Sequence, residues 1–418
     1  MFENLRHRDI DTSYWTIYIF LVVFSILSLF SATSTQVYHV GNMFLPVGKQ
    51  VLFLLLGTAL AYAIQFVPTM YIRFSGYIIL AFSLLCLILL AIPHSPFAVV
   101  VNGAARWMRL GPITFQPSDL AKMGLVIVDA DLLSRIETEE DKKKFFFWTL
   151  GITGFTALLI MTQNLSTAIL IAGVLVIMWF LAHIPWKYIL STIGIAIVIL
   201  LLGYFFVEFA FVRQDKSMSG PFKRATVWVK RVDSKIDEMR QPATTEFKLT
   251  DANYQSSIAK VAIARGGKTP LGVLPGNSKE RDFLPLAFMD YIFAIIVEES
   301  GIIGALILII LYIMILYRAC YTSHKFQDQA ATLLSMSVAL MTTCQALFSM
   351  MVAVGILPVT GQPLPLISMG GTGVVATSIY FGIMMAVSRE QTAMKRQQQI
   401  TTDASHEDTP TINLDLEL

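Results

Sequence analysis

The sequence predicts an all-α polytopic membrane protein with about ten transmembrane helices and one large extracytoplasmic loop between helices 7 and 8. Of its 418 residues, 55% are hydrophobic and only 14% are charged, and the mean hydropathy is +0.64. Soluble domains carry about 25% charged residues, so a soluble domain with a polar shell is excluded. Apolar stretches of about 20 residues, the length that crosses the hydrocarbon core, recur along the whole chain.

Composition also excludes several classes of function. The formal net charge of +2 gives no indication of nucleic-acid binding. The three cysteines and six histidines are scattered, so no disulfide framework and no metal-ligand spacing is present in the sequence. We expect no protein metal site and no organic cofactor.

The apolar stretches predict ten spans. They lie near residues 13–33, 46–66, 74–93, 117–135, 146–162, 165–183, 187–209, 288–317, 328–355 and 366–388. The first has full spanning length and no small-residue cleavage site, so it is interpreted as an uncleaved anchor.

Lys and Arg in the short connections set the orientation. They concentrate in the connections on the side of the two termini, which is typical of the cytoplasmic face. An even number of spans also requires both termini to share one side. We therefore expect a cytoplasmic N-terminus at 1–12, a transmembrane domain at 13–390 and a disordered cytoplasmic tail at 391–418 in a bacterial inner membrane.

The connection at about 210–287 is the one long extramembrane segment. It holds fourteen basic and eight acidic residues, a surplus of six positive charges. This surplus favours an anionic ligand at the membrane surface, such as a lipid phosphate or diphosphate, although a solvated loop resting on anionic headgroups has the same composition. Apolar stretches at 222–232 and 254–264 predict interfacial helices within it.

Ionisable residues in or beside the spans are functional candidates, because burying them in a membrane costs a few kcal/mol. They are Asp119, Lys122, Asp129, Asp131, Asp290, Glu298 and Glu299. A buried ion pair between Lys122 and Glu298 or Glu299 is a purely structural alternative. Asp129 and Asp131 are interpreted as interfacial or helix-pairing residues instead of catalytic ones.

Asp290 is predicted at the mouth of the eighth span, where the basic loop re-enters the bilayer. A carboxylate there meets water and any lipid-linked substrate, so it can take a proton from an attacking hydroxyl. The structural alternative is an acidic residue favoured by the dipole at a helix N-terminus.

Two irregular tracts flank the spans. Residues 101–119 suit a re-entrant or interfacial hairpin in which Arg106 and Arg109 bind phosphate, while Trp107 serves equally well as an interfacial anchor. Residues 358–373 contain three prolines and four glycines, which excludes a regular helix. Irregular backbone at membrane depth indicates a cavity or a buried cap.

Three segments together resemble the SEDS family, the FtsW/RodA/SpoVE proteins of bacterial cell-wall synthesis. They are ARWMRLGPITFQPSDLAKMG at 105–124, LPLAFMDYIFAIIVEESG at 284–301 and LPVTGQPLPLISMGG at 357–371. They occur in the order and spacing of the family, and the resemblance covers residues from about 10 to 390.

The resemblance implies a peptidoglycan glycosyltransferase that joins lipid II units and releases undecaprenyl diphosphate, with Asp290 as the catalytic base. With the loop cations, it implies a set of substrate-binding residues: Arg106, Trp107, Arg109, Asp119, Lys122, Gln255, Lys279, Arg281, Glu298, Glu299, Thr360, Gly361, Pro363, Pro365, Ser368, Gly370 and Gly371. It also implies a class B penicillin-binding protein and other divisome membrane proteins as partners. A divalent cation, Mg or Mn, is expected with the substrate diphosphate.

The chain departs from the family pattern at 163–167, where QNLST lacks the usual acid and glycine, and at 272–276, where GVLPG lacks the third, central glycine that relatives often carry. It also departs at Met369, where an aromatic residue is common. None of these positions affects Asp290. The phrase GQPLPLIS at 361–368 and the chain length favour the division branch (FtsW) over the elongation branch (RodA). A lipid II flippase and a scaffold that only recruits a transpeptidase are the remaining alternatives.

Overall fold

The structure is a computed structural model of the chain. It describes residues 10–32, 44–92, 95–101, 104–111, 113–212, 223–240, 254–275, 277–284, 288–325 and 328–407. Residue Gly276 and residues 1–9 and 408–418, for which the sequence makes predictions, lie outside these ranges.

The fold is helical, as predicted. Twelve helices are described: α1 (Thr12–Ala32), α2 (Phe44–Ile64), α3 (Thr69–Ala91), α4 (Pro117–Leu133), α5 (Glu139–Met161), α6 (Leu165–Leu181), α7 (Trp186–Val207), α8 (Lys223–Arg240), α9 (Tyr254–Gly266), α10 (Ile292–Lys325), α11 (Gln329–Ala353) and α12 (Gly371–Glu407). Ten of the described helices, all except α8 and α9, coincide with the ten predicted spans.

Eight of the described helices are long and apolar enough to cross a membrane. The other two predicted spans, α4 and α6, have 17 residues each, near the lower limit for spanning. The protein is therefore an integral membrane protein.

Helices α4, α11 and α12 form the centre of the bundle, where most of their side chains are buried. Small residues allow close approach here: a β-carbon added at Gly124 in α4 would lie 2.6 Å from the backbone nitrogen of Leu80 in α3. Close approach of backbones through small residues is typical of helix packing in membranes. Helix α7, by contrast, lies at the edge with mostly exposed apolar side chains, which suits contact with lipid.

The connection between α3 and α4 is a small antiparallel sheet of order β1-β2-β3. Its strands are β1 (Ala98–Val101), β2 (Ala104–Leu110) and β3 (Ile113–Phe115). The hairpin predicted for this tract is thus a β-structure, an exception to the all-α prediction. Trp107 of β2 pairs with Val99 of β1, and the register shifts between Val99 and Val100, so Arg106 is an extra residue of β2 at an irregularity in the pairing.

The tract between α11 and α12 is irregular, as its prolines and glycines predict, and α12 begins at Gly371, five residues later than the predicted start at 366. The tract is held through its backbone oxygens. Gln345 Nε2 donates to Pro363 O at 3.1 Å, and the Tyr312 hydroxyl donates to Pro365 O at 2.5 Å.

The segment between α7 and α10 contains the two loop helices, α8 and α9, at the positions where apolar stretches predict them. Helix α9 packs against α10 so closely that a β-carbon added at Gly266 would lie 2.0 Å from Val297 O. The segment is therefore docked onto the membrane helices through α9.

Helix α12 continues to Glu407, into the stretch at 391–418 for which the sequence predicts a disordered tail. Gln, Lys, Arg and Met dominate residues 394–399, and these residues have high helix propensity. The helix therefore extends well beyond the length needed to span the bilayer.

Candidate functional site

A cavity of about 720 Å³ lies between β2, α8, the start of α10 and the tract between α11 and α12, which we call the irregular tract. Thirteen of the site residues predicted from sequence line it: Arg106, Trp107, Asp119, Lys122, Gln255, Asp290, Thr360, Gly361, Pro363, Pro365, Ser368, Gly370 and Gly371. Segments from four distant parts of the chain thus converge on one concave, partly polar surface, the usual form of a small-molecule site.

Asp290 lies two residues before α10, outside the membrane-spanning helix. Burial raises the pKa of its carboxyl group, and the positive charges of Arg106 and Arg231 oppose that rise. A base is most effective when its pKa lies near the operating pH. The environment of Asp290 thus combines desolvation, which strengthens it as a base, with cations that keep it ionised.

Arg106 approaches Asp290 from β2. Its Nε donates to the backbone oxygen of Gln163 at 3.2 Å, which fixes the guanidinium where the α5–α6 connection meets the cavity. A β-carbon added at Gly361 would lie 3.7 Å from Arg106 Nη1 and 3.2 Å from Asp290 Oδ2. The irregular tract therefore passes directly beside both charged groups.

Lys122 pairs with Asp119, one turn earlier in α4, at 2.8 Å between Nζ and Oδ1. Its Nζ also donates to Gln345 Oε1 at 3.2 Å. The predicted alternative, a pair between Lys122 and Glu298 or Glu299, is wrong: the spacing of three residues within one helix brings Asp119 closer. The Lys122–Asp119 pair lines the cavity, so both groups are available to a substrate.

Glu298 and Glu299 are buried and face the segment between α7 and α10 instead of the cavity. Glu298 Oε1 lies 3.3 Å from Arg265 Nη1, accepts from the backbone N–H of Lys279 at 3.1 Å, and its Oε2 accepts from the Ser278 hydroxyl. These contacts attach α9 and the following turn to α10.

Glu299 Oε1 lies 3.6 Å from Arg281 Nη1 and accepts from the hydroxyl of Ser31. Arg281 thus forms an ion pair with a structural role, between the loop and α10. The structure does not bring Lys279, Arg281, Glu298, Glu299 or Arg109 to the cavity lining. Arg109 is exposed and is not among the residues that line the cavity.

Asp129 and Asp131 pair helices, as predicted. Asp129 Oδ2 accepts from the Thr153 hydroxyl of α5 at 2.8 Å. Asp131 accepts from the Tyr77 hydroxyl at 2.7 Å and from Arg135 Nη2 at 2.5 Å. Neither residue lines the cavity.

Several lining residues are missing from the sequence-based set. They are Gln116, Asn164, Thr167, Val227, Trp228, Arg231, Met289, Tyr291, Gln345, Val359, Gln362, Leu364, Leu366, Met369, Thr372, Gly373, Val374 and Thr377. The signal for Gln345 was available, because polar residues within apolar spans are functional candidates, whereas Asn164 lies in the connection between α5 and α6. Arg231 was recognised only as one of the loop charges.

Thr360 is buried, and its hydroxyl makes no hydrogen bond among the residues that the structure describes. It lines the cavity beside Gly361. A buried polar group gains stability from a partner, so this hydroxyl is available to a ligand that enters the cavity. Within the described ranges, no group of three or more His, Cys, Asp or Glu side chains is arranged to hold a metal ion.

Comparisons with known proteins agree with the resemblance noted in the sequence. A family model described as "Cell cycle protein" (FTSW_RODA_SPOVE) matches residues 11–393. The chain is 28% identical over 378 residues to the peptidoglycan glycosyltransferase MrdB of Escherichia coli K12, covering 90% of this chain and 93% of that protein. It is 30% identical over 406 residues to the probable peptidoglycan glycosyltransferase FtsW of Saccharophagus degradans, covering 94% and 95%.

Two solved structures share the fold. One is a chain from a structure entitled "Structural coordination of polymerization and crosslinking by a peptidoglycan synthase complex", with a TM-score of 0.68, 25% identity and coverage of 91% of this chain and 98% of that chain. The other is Thermus thermophilus RodA, with a TM-score of 0.62, 22% identity and coverage of 91% and 97%. Because RodA is only 22% identical to this chain, this comparison shows similarity of fold and nothing more.

Proposed function

The chain belongs to the cell cycle protein family of FtsW, RodA and SpoVE, and on that premise we propose that it is a peptidoglycan glycosyltransferase that polymerises lipid II, with Asp290 as the general base. The observation that carries the assignment is the position of Asp290, whose carboxylate faces the cavity beside Arg106 and Gly361. Relatives named as peptidoglycan glycosyltransferases match nine-tenths or more of the chain.

The reaction needs a base beside the hydroxyl of the acceptor sugar and positive charge beside the diphosphate of the donor. The Asp290 carboxylate takes the proton from the 4-hydroxyl of the acceptor sugar, and the oxygen attacks the anomeric carbon of the donor. The bond between that carbon and the diphosphate breaks, and its electron pair leaves with undecaprenyl diphosphate. Preorganised cations stabilise the charge that develops on the leaving group.

Arg106 is the cation that we assign to stabilising the leaving diphosphate. Its guanidinium is fixed by Gln163 O and its forked donors suit a phosphate. Lys122 acts with Asp119 as a neutral pair that orients polar groups of the substrate. Lys279 and Arg281, which the sequence offered as further cations, do not line the cavity. Arg281 pairs with Glu299, and the backbone N–H of Lys279 bonds Glu298.

A divalent cation stays a proposal. Mg²⁺ or Mn²⁺ prefers oxygen ligands and commonly keeps substrate phosphates in its coordination sphere. Here it would be held mainly by the diphosphate, and no step described above depends on it. Addition of a chelator to the polymerisation assay, followed by restoration with Mg²⁺ or Mn²⁺, tests the requirement.

We further propose an orientation in which both termini are cytoplasmic and the cavity faces outward. The excess of Lys and Arg in the connections on the side of the termini supports it. In that orientation the cavity meets lipid II on the outer leaflet. Cysteine labelling from outside the cell at Arg109, an exposed residue of β2, tests it: labelling is expected, and protection from a membrane-impermeant reagent contradicts it.

The role in division is a separate proposal. The phrase GQPLPLIS at 361–368 supports it, while relatives named FtsW and MrdB match the chain at nearly equal identity. Depletion in the native bacterium distinguishes the two branches: filamentous cells are expected for a division enzyme, and round cells indicate the elongation enzyme. A class B penicillin-binding protein is the partner we propose for either branch.

A lipid II flippase, the alternative from another class, needs charged groups near the membrane midplane and alternating access. Three charged residues in the spans, Glu298, Glu299 and Lys122, are compatible with transport. The two glutamates attach the loop to α10 through Arg265 and Arg281, and Lys122 pairs with Asp119. Their structural contacts favour the enzyme over the transporter.

The deciding experiment is polymerisation of labelled lipid II by the purified chain, with and without a cognate class B penicillin-binding protein. Wild type is expected to form polymer, and Asp290→Asn is expected to form none while keeping its fold. Asp282→Asn is the matched control, because Asp282 is an exposed acid on the same segment outside the cavity. Polymer from Asp290→Asn at the wild-type rate overturns the assignment of the base.

A further inference from the structure

Arg231 of α8 brings a second guanidinium into the cavity. Its Nη1 donates to the backbone oxygen of Val359 at 2.8 Å, and its guanidinium carbon lies 5.7 Å from the ring centroid of Trp228, one turn earlier in α8. The guanidinium thus has two contacts that restrict its position, one with the irregular tract and one with a tryptophan of its own helix. Such fixed placement is typical of a functional cation.

The charges that line the cavity do not balance. Among the described lining residues, Asp119 and Lys122 form a pair. Asp290 remains as one negative charge against two positive charges, Arg106 and Arg231. A partly buried site with one surplus positive charge is unfavourable without an anion.

The two guanidiniums also oppose each other. Burial lowers the pKa of Arg106, the Asp290 carboxylate opposes this change, and the nearby charge of Arg231 lowers the pKa further. Each side chain is nevertheless anchored to a backbone carbonyl, Gln163 O for Arg106 and Val359 O for Arg231. Two like charges held in one cavity by separate anchors form a preorganised site for a divalent anion.

Their donor capacity fits a diphosphate. A guanidinium has five N–H donors in a planar fork. Of the hydrogen bonds between residues that the structure describes, each of these two guanidiniums makes one. The other donors have no hydrogen-bond partner among the described residues, so they can bond phosphate oxygens in pairs, one phosphate for each arginine.

We propose that Arg231 of α8 is the second cation of a diphosphate subsite, which it forms together with Arg106 of β2. The identification of that diphosphate as part of a lipid-linked sugar donor rests on the proposed function. When the bond between the anomeric carbon and the diphosphate breaks, the electron pair moves to the oxygen of the departing diphosphate, whose negative charge the two arginines stabilise. The proton of the acceptor hydroxyl moves to Asp290.

The test measures binding and turnover separately. The full-length protein, in nanodiscs of neutral lipid, is titrated with inorganic diphosphate and with undecaprenyl diphosphate. Arg231→Gln is expected to raise the Kd of both ligands at least about tenfold, because charge-assisted hydrogen bonds are lost. Arg231→Lys is expected to give an intermediate Kd, since it keeps the charge without the fork.

Lys230→Gln is the matched control. Lys230 is the exposed neighbour of Arg231 in α8, so this change removes the same charge from the same helix without altering the cavity. Its Kd is expected to stay within about twofold of wild type, because an exposed charge is screened. Equal losses in Lys230→Gln and Arg231→Gln overturn the proposal in favour of a general effect of loop charge.

Two further outcomes overturn it. If Arg231→Gln lowers turnover but binds diphosphate with the wild-type Kd, Arg231 only attaches α8 to the irregular tract. If anionic phospholipid in the nanodiscs displaces diphosphate at equal phosphate concentration, the site recognises bilayer headgroups. Failure of the proposed function is distinguishable: wild type then binds diphosphate through Arg231 and still forms no polymer from lipid II.

Discussion

Gly361 lies so close to Asp290 that a β-carbon at this position would be 3.2 Å from carboxylate oxygen Oδ2. The backbone of Gly361 has φ of +67°, in the left-handed region that residues with a β-carbon avoid. Two independent requirements, space beside the base and a left-handed turn, thus meet at one residue. The irregular tract is thereby an integral part of the site.

The first prediction concerns this contact. Gly361→Ala is expected to lower kcat for lipid II polymerisation by about tenfold or more, because the added methyl group displaces Asp290 and the left-handed backbone costs roughly 1–2 kcal/mol. Polymer formation by the purified variant measures the effect.

Gly111→Ala is the control for Gly361→Ala. Gly111 has φ of +61°, and a β-carbon there meets no atom within 4 Å, so the variant carries the backbone cost without the clash. It is expected to polymerise like wild type. Equal loss of kcat in both variants contradicts a specific effect on Asp290.

The second prediction concerns the pH profile. Polymerisation requires ionised Asp290, so the rate falls as the pH drops through its pKa, which burial raises and Arg106 lowers. Arg106→Gln removes a charge that favours the ionised form, so the pKa rises further and the acidic limb of kcat moves to higher pH. Arg109→Gln, an exposed change on the same strand, is expected to leave the limb in place. An acidic limb unchanged in Arg106→Gln contradicts Asp290 as the titrating base.

The third prediction concerns the attachment of the loop. Glu298 is fully buried and contacts Arg265 and the turn at Ser278 and Lys279. Glu298→Ala is expected to destabilise the protein by about 3 kcal/mol, as removal of one partner from a buried ion pair does. Thermal denaturation in detergent measures it, and limited proteolysis between α7 and α10 reports the release of α9.

Glu139→Ala serves as its control. Glu139 forms an ion pair with Lys142 at the start of α5, and its side chain is 80% exposed. Exposed pairs contribute at most about 1 kcal/mol, so a small shift is expected. A stability loss in Glu298→Ala no larger than that in Glu139→Ala contradicts the structural role of Glu298.

The fourth prediction concerns the buried Asp129 of α4. Oδ2 accepts from Thr153, while Oδ1 has no partner among the described residues. An amide oxygen can accept the same hydrogen bond, and removal of an ionisable group from the membrane relieves its burial cost. Asp129→Asn is expected to keep full activity and an equal or higher melting temperature. Loss of polymerisation by a folded Asp129→Asn variant indicates instead a role for the acid in the reaction.

The helices could be predicted from sequence because each span is a long apolar run, a signal that depends only on neighbouring residues. The small sheet could not, since its strands are short and β2 carries Arg106 and Arg109 between apolar residues. Pairing of Trp107 with Val99 supplies the stabilisation that local propensity does not indicate.

The site residues that lie in recognisable motifs could be predicted from sequence. Those that reach the cavity only through packing between distant segments could not. Asp290 and Arg106 lie in segments that the family resemblance identifies. Arg231 reaches the cavity through a hydrogen bond to Val359, more than a hundred residues later in the chain. Likewise, composition alone could not show that Glu298 faces Arg265 instead of Lys122, because both are basic partners within reach of a membrane glutamate.

The irregular tract is held by its own peptide oxygens: Val359 O, Pro363 O and Pro365 O accept from Arg231, Gln345 and Tyr312. A peptide oxygen is the same for every amino acid, so these attachments do not depend on which side chains the tract displays to the cavity. Natural variation in the tract can therefore alter the shape that a sugar or a stem peptide meets while the anchorage persists. These three attachments can therefore persist while the side chains that the irregular tract displays to the cavity change.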